Sequence, residues 1–336
     1  MKAVAYYQPL PIDNQLALED VDLPAPIAQP RDVIVRVDAI SVNPVDYKIR
    51  RSSKPAEGQS KVLGWDAVGI VEAVGAAVTK FNIGDRVYYA GSINRPGANS
   101  ELHAVDERIV ALAPTSLSDA QAAALPLTTI TAYELLFDRL GVPKNGGHGQ
   151  TILIIGGAGG VGSILIQLAR QLTNLRVVAT ASRAETRQWC LDLGAHLVID
   201  HSKLFSIELK AAGINGVDFV ASLTHTPQHF PQILESLKPQ GRFGLIDSLA
   251  GIDVSALMSK SISLHWELMF TRPMFETEDM DAQGKLLAEV AALVDAGKIR
   301  STVNKNFGII NAENLRKAHA LIESGTAQGK VVLEGF

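Results

Sequence analysis

Thiols are nearly missing from this chain, which has one cysteine, Cys190, in 336 residues. That excludes an intramolecular disulfide and any metal site built on more than one cysteine ligand. A surplus of positive charge is missing too. Lys plus Arg number 31 against 35 Asp plus Glu, a net charge of −4, whereas obligate nucleic-acid binding normally shows a basic surplus or patch. No run approaches the roughly 18 uninterrupted apolar residues that mark a membrane span. The start, Met1-Lys2-Ala3-Val4-Ala5-Tyr6-Tyr7, alternates like a strand and carries no signal-peptide core. The expectation is a cytoplasmic, reduced protein with neither nucleic acid nor membrane as a partner.

The composition that remains is that of an ordinary globular chain, 47% hydrophobic and 20% charged, long enough for two domains with a core each. Two textures divide it. From the start to about residue 125, Gly and Pro punctuate strand-like runs over 32–37, 67–74 and 85–89, which predicts a small, mostly β domain. Beyond about Pro126, strands over 151–155, 176–180, 196–200, 217–221 and 242–246 interleave with helical segments. That alternation predicts an α/β, doubly wound parallel sheet. After Pro273 come a long amphipathic helix over 280–296, a strand over 302–310, a helix over 312–323 and a last strand over 330–333. These return to complete the first domain, so the expected boundaries are 1–127 with 274–336, and 128–273 as an insertion. There is no internal repeat and no low-complexity segment.

The most informative stretch lies at the head of the inserted domain. A buried-type strand, Thr151-Ile152-Leu153-Ile154-Ile155, runs into Gly156-Gly157-Ala158-Gly159-Gly160-Val161-Gly162-Ser163. Gly157, Gly159 and Gly162 stand at G-x-G-x-x-G spacing. Val161, Ile164, Leu165, Leu168 and Leu172 then recur as the stripe of a helix packed on a sheet. A dinucleotide site needs this order. The strand must turn sharply, backbone must approach the pyrophosphate with no side chain between, and a helix N-terminus must aim N–H groups at the anion. Gly157, Ala158, Gly159, Gly160, Val161 and Gly162 are the expected phosphate-binding residues, with Gly159 where the backbone comes nearest. The end of the second strand normally selects the cofactor, because an acidic residue there accepts the ribose hydroxyls of NAD. Here it reads Ala179-Thr180-Ala181-Ser182-Arg183, with Arg187 one turn on. No carboxylate is present, so Ser182, Arg183 and Arg187 point to NADPH; the competing explanation is solvated charge at a helix start.

Several segments then carry a family resemblance: Ser41-Val42-Asn43-Pro44-Val45-Asp46-Tyr47, Leu63-Gly64-Trp65-Asp66-Ala67-Val68-Gly69-Ile70-Val71, Gly84-Asp85-Arg86-Val87, Leu125-Pro126-Leu127-Thr128-Thr129-Ile130-Thr131-Ala132-Tyr133, and the glycine motif. In order and spacing the chain resembles, over nearly its whole length, the quinone oxidoreductase branch of the medium-chain dehydrogenase/reductase superfamily. Within it the chain looks like the bacterial proteins called zinc-type alcohol dehydrogenase-like. The resemblance implies a GroES-like mostly-β catalytic domain, a Rossmann domain, a nicotinamide cofactor in the cleft between them and a homodimer. It also implies cofactor contacts from Asn43, Thr131, His201 after the third strand, and Lys330 on the terminal strand near the nicotinamide.

The zinc in that label does not fit the residues. Where the zinc enzymes have a first cysteine ligand this chain has Asn43, and where they have the His of Gly-His-Glu it has Trp65. No cysteine lies near 120–125, and the four-cysteine structural lobe is missing at 91–97. An indole cannot replace an imidazole as a ligand, so no catalytic zinc is expected. Other signals are weak. His225 and His229 have i, i+4 spacing but Pro227 interrupts them, and Gly325 to Lys330 is one residue short of a Walker motif. Cys190 reads as helix packing.

Without a Lewis acid, the expected chemistry is hydride delivery from NADPH to a quinone or other conjugated carbonyl, such as an enone. Asn43 either bonds an acceptor oxygen or the nicotinamide ribose, or forms an Asx turn before Pro44. Tyr47 is either a proton donor or packing, and Trp65 either a pocket wall or a core residue. Asp46 is expected to orient its neighbours. The segment His265-Trp266-Glu267-Leu268-Met269-Phe270 lines the cleft or a dimer seam, or forms a buried edge strand. Two other functions stay open: an alcohol or aldehyde oxidoreductase, and a non-enzymatic, crystallin-like NADPH binder.

Overall fold

The computed structural model describes residues 1–336. In chain order the strands and helices are β1 (Lys2–Tyr6), β2 (Glu19–Asp22), β3 (Asp32–Val42), α1 (Pro44–Ser52), β4 (Lys61–Val62), β5 (Asp66–Val74), β6 (Arg86–Ala90), β7 (Leu102–Asp106), β8 (Val110–Leu112), α2 (Asp119–Ala123) and α3 (Pro126–Tyr133). Then follow β9 (Thr151–Ile155), α4 (Gly160–Leu172), β10 (Arg176–Thr180), α5 (Ala184–Asp192), β11 (Leu197–Ile199), α6 (Phe205–Ala211), β12 (Val217–Ser222), α7 (Thr226–Ser236), β13 (Leu237–Leu245) and β14 (Ser263–Trp266). The chain ends with α8 (Thr271–Phe275), α9 (Ala282–Asp295), β15 (Val303–Asn306), α10 (Ala312–Glu323) and β16 (Lys330–Glu334). The expected boundaries are 127/128 and 273/274. The observed units are Met1–Ile130 with Phe270–Phe336, and Thr131–Met269. No helix is long and apolar enough to cross a membrane.

In the first unit a sheet in the order β15-β16-β3-β5-β6-β8 is built round the long β3, which also pairs with β7. β3 runs five residues beyond the expected strand because a register shift between Val37 and Ala39 absorbs Asp38 without ending the pairing with β5. A bulge of this kind bends a strand and lets its inward face continue. Val42 therefore reaches the end of β3 beside Val331 of β16, while Ser41 faces Asp66 at the start of β5. Three chain segments far apart in sequence meet there.

The second unit holds six parallel strands in the order β11-β10-β9-β12-β13-β14, the doubly wound order that reverses direction beside its first strand. The sixth strand, β14, was not among the five expected from sequence. It is four residues, Ser-Leu-His-Trp, with no fully buried position. On one side of the sheet Leu153, Val178, Val220 and Phe243 pack with Phe205, Leu209, Phe230 and Ile233 of α6 and α7. α4 is enclosed more completely than a stripe predicts, since every residue from 162 to 169 is buried. Its polar members are satisfied: Trp189 Nε1 donates to Ser163 Oγ at 2.8 Å, and Gln167 Nε2 to Ser163 O at 3.3 Å.

The glycine turn after β9 divides its tasks. Gly156 takes the left-handed backbone, φ +83°, which glycine adopts without a Cβ penalty. Gly159 has φ −73°, so the argument for glycine there is space alone. A Cβ on Gly159 would meet only Gly156 O, at 3.5 Å, whereas one on Gly162 would lie 2.4 Å from Gly156 O and 2.7 Å from Gly157 Cα. Gly162→Ala should therefore destabilise the protein by roughly 1–3 kcal/mol, the usual cost of overpacking, while Gly159→Ala should melt like the parent. Thermal melts of the two variants check this; equal melting temperatures would contradict the packing role of Gly162.

Candidate functional site

The expected dinucleotide site lies in the second unit, at the C-terminal ends of β9 and β10. Gly156 N–H donates to Thr180 Oγ1 at 3.1 Å and Gly157 N–H to Thr180 O at 3.2 Å, stitching the glycine turn to the end of β10. Gly159 caps α4 without a side chain, and the helical ladder begins with Ser163 N–H donating to Gly159 O at 2.9 Å. The N–H groups of Gly160, Val161 and Gly162 precede that ladder, beside Ala158 and the space over Gly159. A first turn of this kind holds an anion through backbone N–H groups and the helix dipole. A pyrophosphate fits here, because a Cβ on Gly159 would meet no protein atom but Gly156 O, at 3.5 Å, on the side where a ligand would approach the helix start.

Beyond Thr180 the chain presents Ser182 and Arg183, both exposed. Arg183 is the N-terminal cap residue of α5, and its Nε pairs with Glu185 Oε1 at 3.1 Å. Both side chains are well exposed, and a surface pair of this kind is weak enough to exchange for a phosphate. Arg187 is placed differently. Its guanidinium donates to Ala181 O at 3.3 Å and Val198 O at 2.9 Å, bracing the ends of β10 and β11. His201 follows β11 and lies edge-on to His229, ring centroids 6.1 Å apart; burial holds its basicity below the ordinary histidine value. His225 has left-handed backbone and caps α7 from outside, so only His229 of the two lies within the helix. Thr131 is buried in α3. Cys190 is buried in α5, with Sγ 3.1 Å from where a Cβ on Gly157 would stand, and burial pushes its thiol up to about 12.

The first unit holds a buried polar cluster at the junction of β3, β5 and β16. Asn43 caps α1 in extended conformation, with Pro44 at the first helical position, where proline is favoured. Asn43 N–H donates to Asp46 Oδ2 at 2.7 Å, and Asn43 Nδ2 donates to Asp66 Oδ2 at 2.8 Å and Ser41 O at 3.3 Å. Lys330 Nζ donates to Asp66 Oδ2 at 3.0 Å, to Val42 O at 3.2 Å and to Asn43 Oδ1. Asp66 Oδ1 accepts the backbone N–H of Leu127 at 2.6 Å, in the first turn of α3. All four side chains are at most 3% exposed. Desolvating such an ion pair is costly unless its hydrogen bonds are complete; here the three ammonium hydrogens have three acceptors, and removing one partner would leave a buried charge uncompensated.

Of the residues expected to act in catalysis, Asn43 belongs to this cluster and Tyr47 is half-buried on α1. Trp65 lies wholly inside the unit, its Nε1 donating to Ser92 O at 3.0 Å and its ring edge-on to Phe270. Asp46 is the group that sequence reasoning undervalued. It is fully buried, its Oδ1 has no hydrogen-bond partner, and burial pushes its carboxyl up to about 7 against the opposing pull of the Asn43 N–H and Lys330. The pairing of Lys330 with Asp66 was also missed. Each residue stands out singly, as a charge in an apolar run, but only sheet register joins them.

This donor set does not fit a zinc ion. Positions 43 and 65 offer an amide and a core indole, an ammonium lies among the oxygens, and the only thiol is in the other unit. No group of three or more His, Cys, Asp or Glu side chains is arranged to hold a metal.

Comparison with known proteins agrees with this architecture. Residues 29–115 match the alcohol dehydrogenase GroES-like domain, and residues 193–333 the family described as zinc-binding dehydrogenase. A zinc-type alcohol dehydrogenase-like protein of Staphylococcus epidermidis is 37% identical over 99% of both chains. A solved protein of Rhizobium etli CFN 42, assigned as a zinc-dependent alcohol dehydrogenase, is 55% identical with TM-score 0.96, over 100% of this chain and 98% of that one. The quinone oxidoreductase of Escherichia coli, solved with NADPH, is 26% identical with TM-score 0.83, over 99% of this chain and 100% of that one. The chain belongs to the medium-chain dehydrogenase/reductase superfamily of oxidoreductases, with a GroES-like domain and a Rossmann-type sheet.

The raised Asp46 carboxyl makes a stability prediction with a definite sign. Its folded-state value, about 7, exceeds the ordinary 3.8, so the fold binds this proton more tightly than the unfolded chain does. The resulting stabilisation is complete below the ordinary value and is lost as pH rises through about 7. Relative to Asp46→Asn, the parent should lose stability between pH 4 and 8, by on the order of a few kcal/mol. Paired thermal melts across that range read the difference; parallel curves would show that Asp46 ionises as an ordinary carboxyl.

Proposed function

We propose that the protein is an NADPH-dependent reductase of quinones or other conjugated carbonyls, working without zinc. The observation that carries the reading is the donor set at 43, 65, 66 and 330, an amide, an indole, and a carboxylate already neutralised by an ammonium. Such a set supplies no Lewis acid to polarise a simple carbonyl or stabilise an alkoxide. A conjugated acceptor spreads the developing charge through its own π-system and needs less help. Bound NADPH supplies the hydride. The chain's share is to hold the pyrophosphate on the first turn of α4 and the 2′-phosphate near Ser182 and Arg183, with Arg187 bracing those strand ends. His201 and Thr131 complete the proposed cofactor surroundings. Tyr47, next to Asp46 on α1, is the proposed proton donor to the acceptor oxygen. Asn43 and Trp65, whose polar atoms are engaged inside the first unit, fix the surroundings of that segment. The E. coli quinone oxidoreductase complexed with NADPH supports both cofactor and substrate class.

Alcohol or aldehyde turnover is the second reading, favoured by the name of the S. epidermidis relative. Nicotinamide absorbance with a panel of quinones, enones and aldehydes separates the two; the proposal expects quinones or enones to be turned over, unaffected by exhaustive chelation. Oxidation of NADPH by simple aldehydes alone would reverse the order, and inertness towards the whole panel would leave a non-enzymatic NADPH binder. The proposal also includes a cytoplasmic homodimer. The edge strand β14, with Trp266 53% exposed, offers a surface for pairing, and sedimentation at a single-chain mass would reject the dimer.

Cofactor choice gives a quantitative test. A charge-assisted contact is worth roughly 1.5–3 kcal/mol, about one to two decades in affinity, so NADPH should bind about 10- to 100-fold more tightly than NADH. Arg183→Ala should remove most of that difference and leave NADH affinity unchanged. Calorimetric titration of both cofactors measures it; an NADH preference in the parent protein would reject the assignment.

A further inference from the structure

The buried cluster around Asn43, whose side chains do not fit a zinc ion, already holds a positive charge. Lys330 Nζ lies among Val42 O, Asn43 Oδ1 and Asp66 Oδ2, all contributed by the first unit. The sequence suggests that Lys330 touches the cofactor, but its three hydrogens are taken by these three protein oxygens. The residue is 3% exposed, and its strand is held in register with β3, Val331 opposite Val42.

We propose that the Lys330 ammonium is the resident cation of this site, standing in for the metal as a positioning group that fixes Asn43, Asp66 and the first turn of α3. The inference deepens the zinc-free reading and rests on it. Its chemical content is specific. A zinc ion is held by thiolate, imidazole and carboxylate ligands, and the carboxylate here is already paired, whereas an ammonium needs oxygen acceptors around it, and oxygens are what surround Nζ. Asp66 divides its two oxygens accordingly, Oδ2 to the ammonium and the Asn43 amide, Oδ1 to the Leu127 N–H. Asp46, the second carboxyl near this charge, takes the Asn43 N–H through Oδ2. A Lys330 side chain without its ammonium would leave Asp66 buried with one cation fewer and release Asn43 Oδ1, so the error would pass along α1 to Tyr47 and along α3 from Leu127.

The test is replacement of the cation from solution. Lys330→Ala leaves a hole lined by Val42 O, Asn43 Oδ1 and Asp66 Oδ2, the shape and polarity for a small alkylammonium ion. Ethylammonium chloride, titrated against the variant, should raise its melting temperature saturably and restore kcat lost by at least about tenfold, an effect of about 1.4 kcal/mol. Tetramethylammonium, which has no N–H to donate, and Zn²⁺ should do neither. A folded variant indifferent to ethylammonium, or one rescued by Zn²⁺, overturns the proposal. If Lys330→Ala does not fold, the double variant Lys330→Met with Asp66→Asn removes both charges together. It should fold, keep its NADPH affinity and still lose kcat; full activity in that variant overturns the proposal. The melting readout needs no turnover, so an inert parent enzyme would reject the reductase reading while the ethylammonium response would still decide the role of Lys330.

Discussion

The carboxylate of Asp66 is the interaction on which the rest of the first unit's site depends. One side chain joins four segments: β5, which carries it; β16, through Lys330; the junction of β3 and α1, through Asn43; and α3, through the N–H of Leu127. Its burial is complete, and a buried anion is tolerable only when every lone pair is used. Asp66 has a donor on each oxygen and an opposite charge beside it, accepting from one ammonium, one amide and one backbone N–H. The same arrangement explains why a metal is out of place here. A divalent ion entering among these oxygens would have to displace a lysine already bonded to three of them.

The second unit solves a different electrostatic problem with almost no side chains. The proposed phosphate site rests on a turn whose left-handed residue, Gly156, reverses the chain, and on a helix start at Gly159, where a Cβ would meet only Gly156 O. Thr180 fixes that turn to the neighbouring strand by accepting both Gly156 and Gly157 N–H. The proposed selectivity lies with a few exposed groups at the end of β10, where Arg183 has only a surface partner, Glu185, to exchange for a phosphate. In the proposed assignment the backbone provides the affinity common to dinucleotides, and Ser182 and Arg183 distinguish among them.

Much of this was legible in the sequence where the signal is local. The glycine motif is contiguous, so its strand, turn and helix follow from spacing, and α10 has the bounds that its periodicity predicts, 312–323. β14 does not stand out among the expected strands because Ser-Leu-His-Trp is short and has no fully buried position, although the sequence leaves an edge strand open for the segment that begins at His265. β3 runs past the expected 32–37 because a bulge accommodates Asp38 within the strand, and no local pattern announces it. The buried ion pair was not legible at all. Lys330 and Asp66 are 264 positions apart, and nothing short of the β16, β3 and β5 registers brings them together. The unusual carboxyl of Asp46 follows from the same burial and was equally hidden.

In a medium-chain dehydrogenase/reductase read this way, the second unit keeps the proposed nicotinamide site while the first unit holds an ammonium in a cluster that does not fit a metal. Native mass spectrometry of the purified protein incubated with NADPH and excess Zn²⁺ tests it most directly. The account predicts one NADPH per chain and no zinc retained after buffer exchange. A species carrying one tightly held zinc per chain, with or without NADPH, would contradict it.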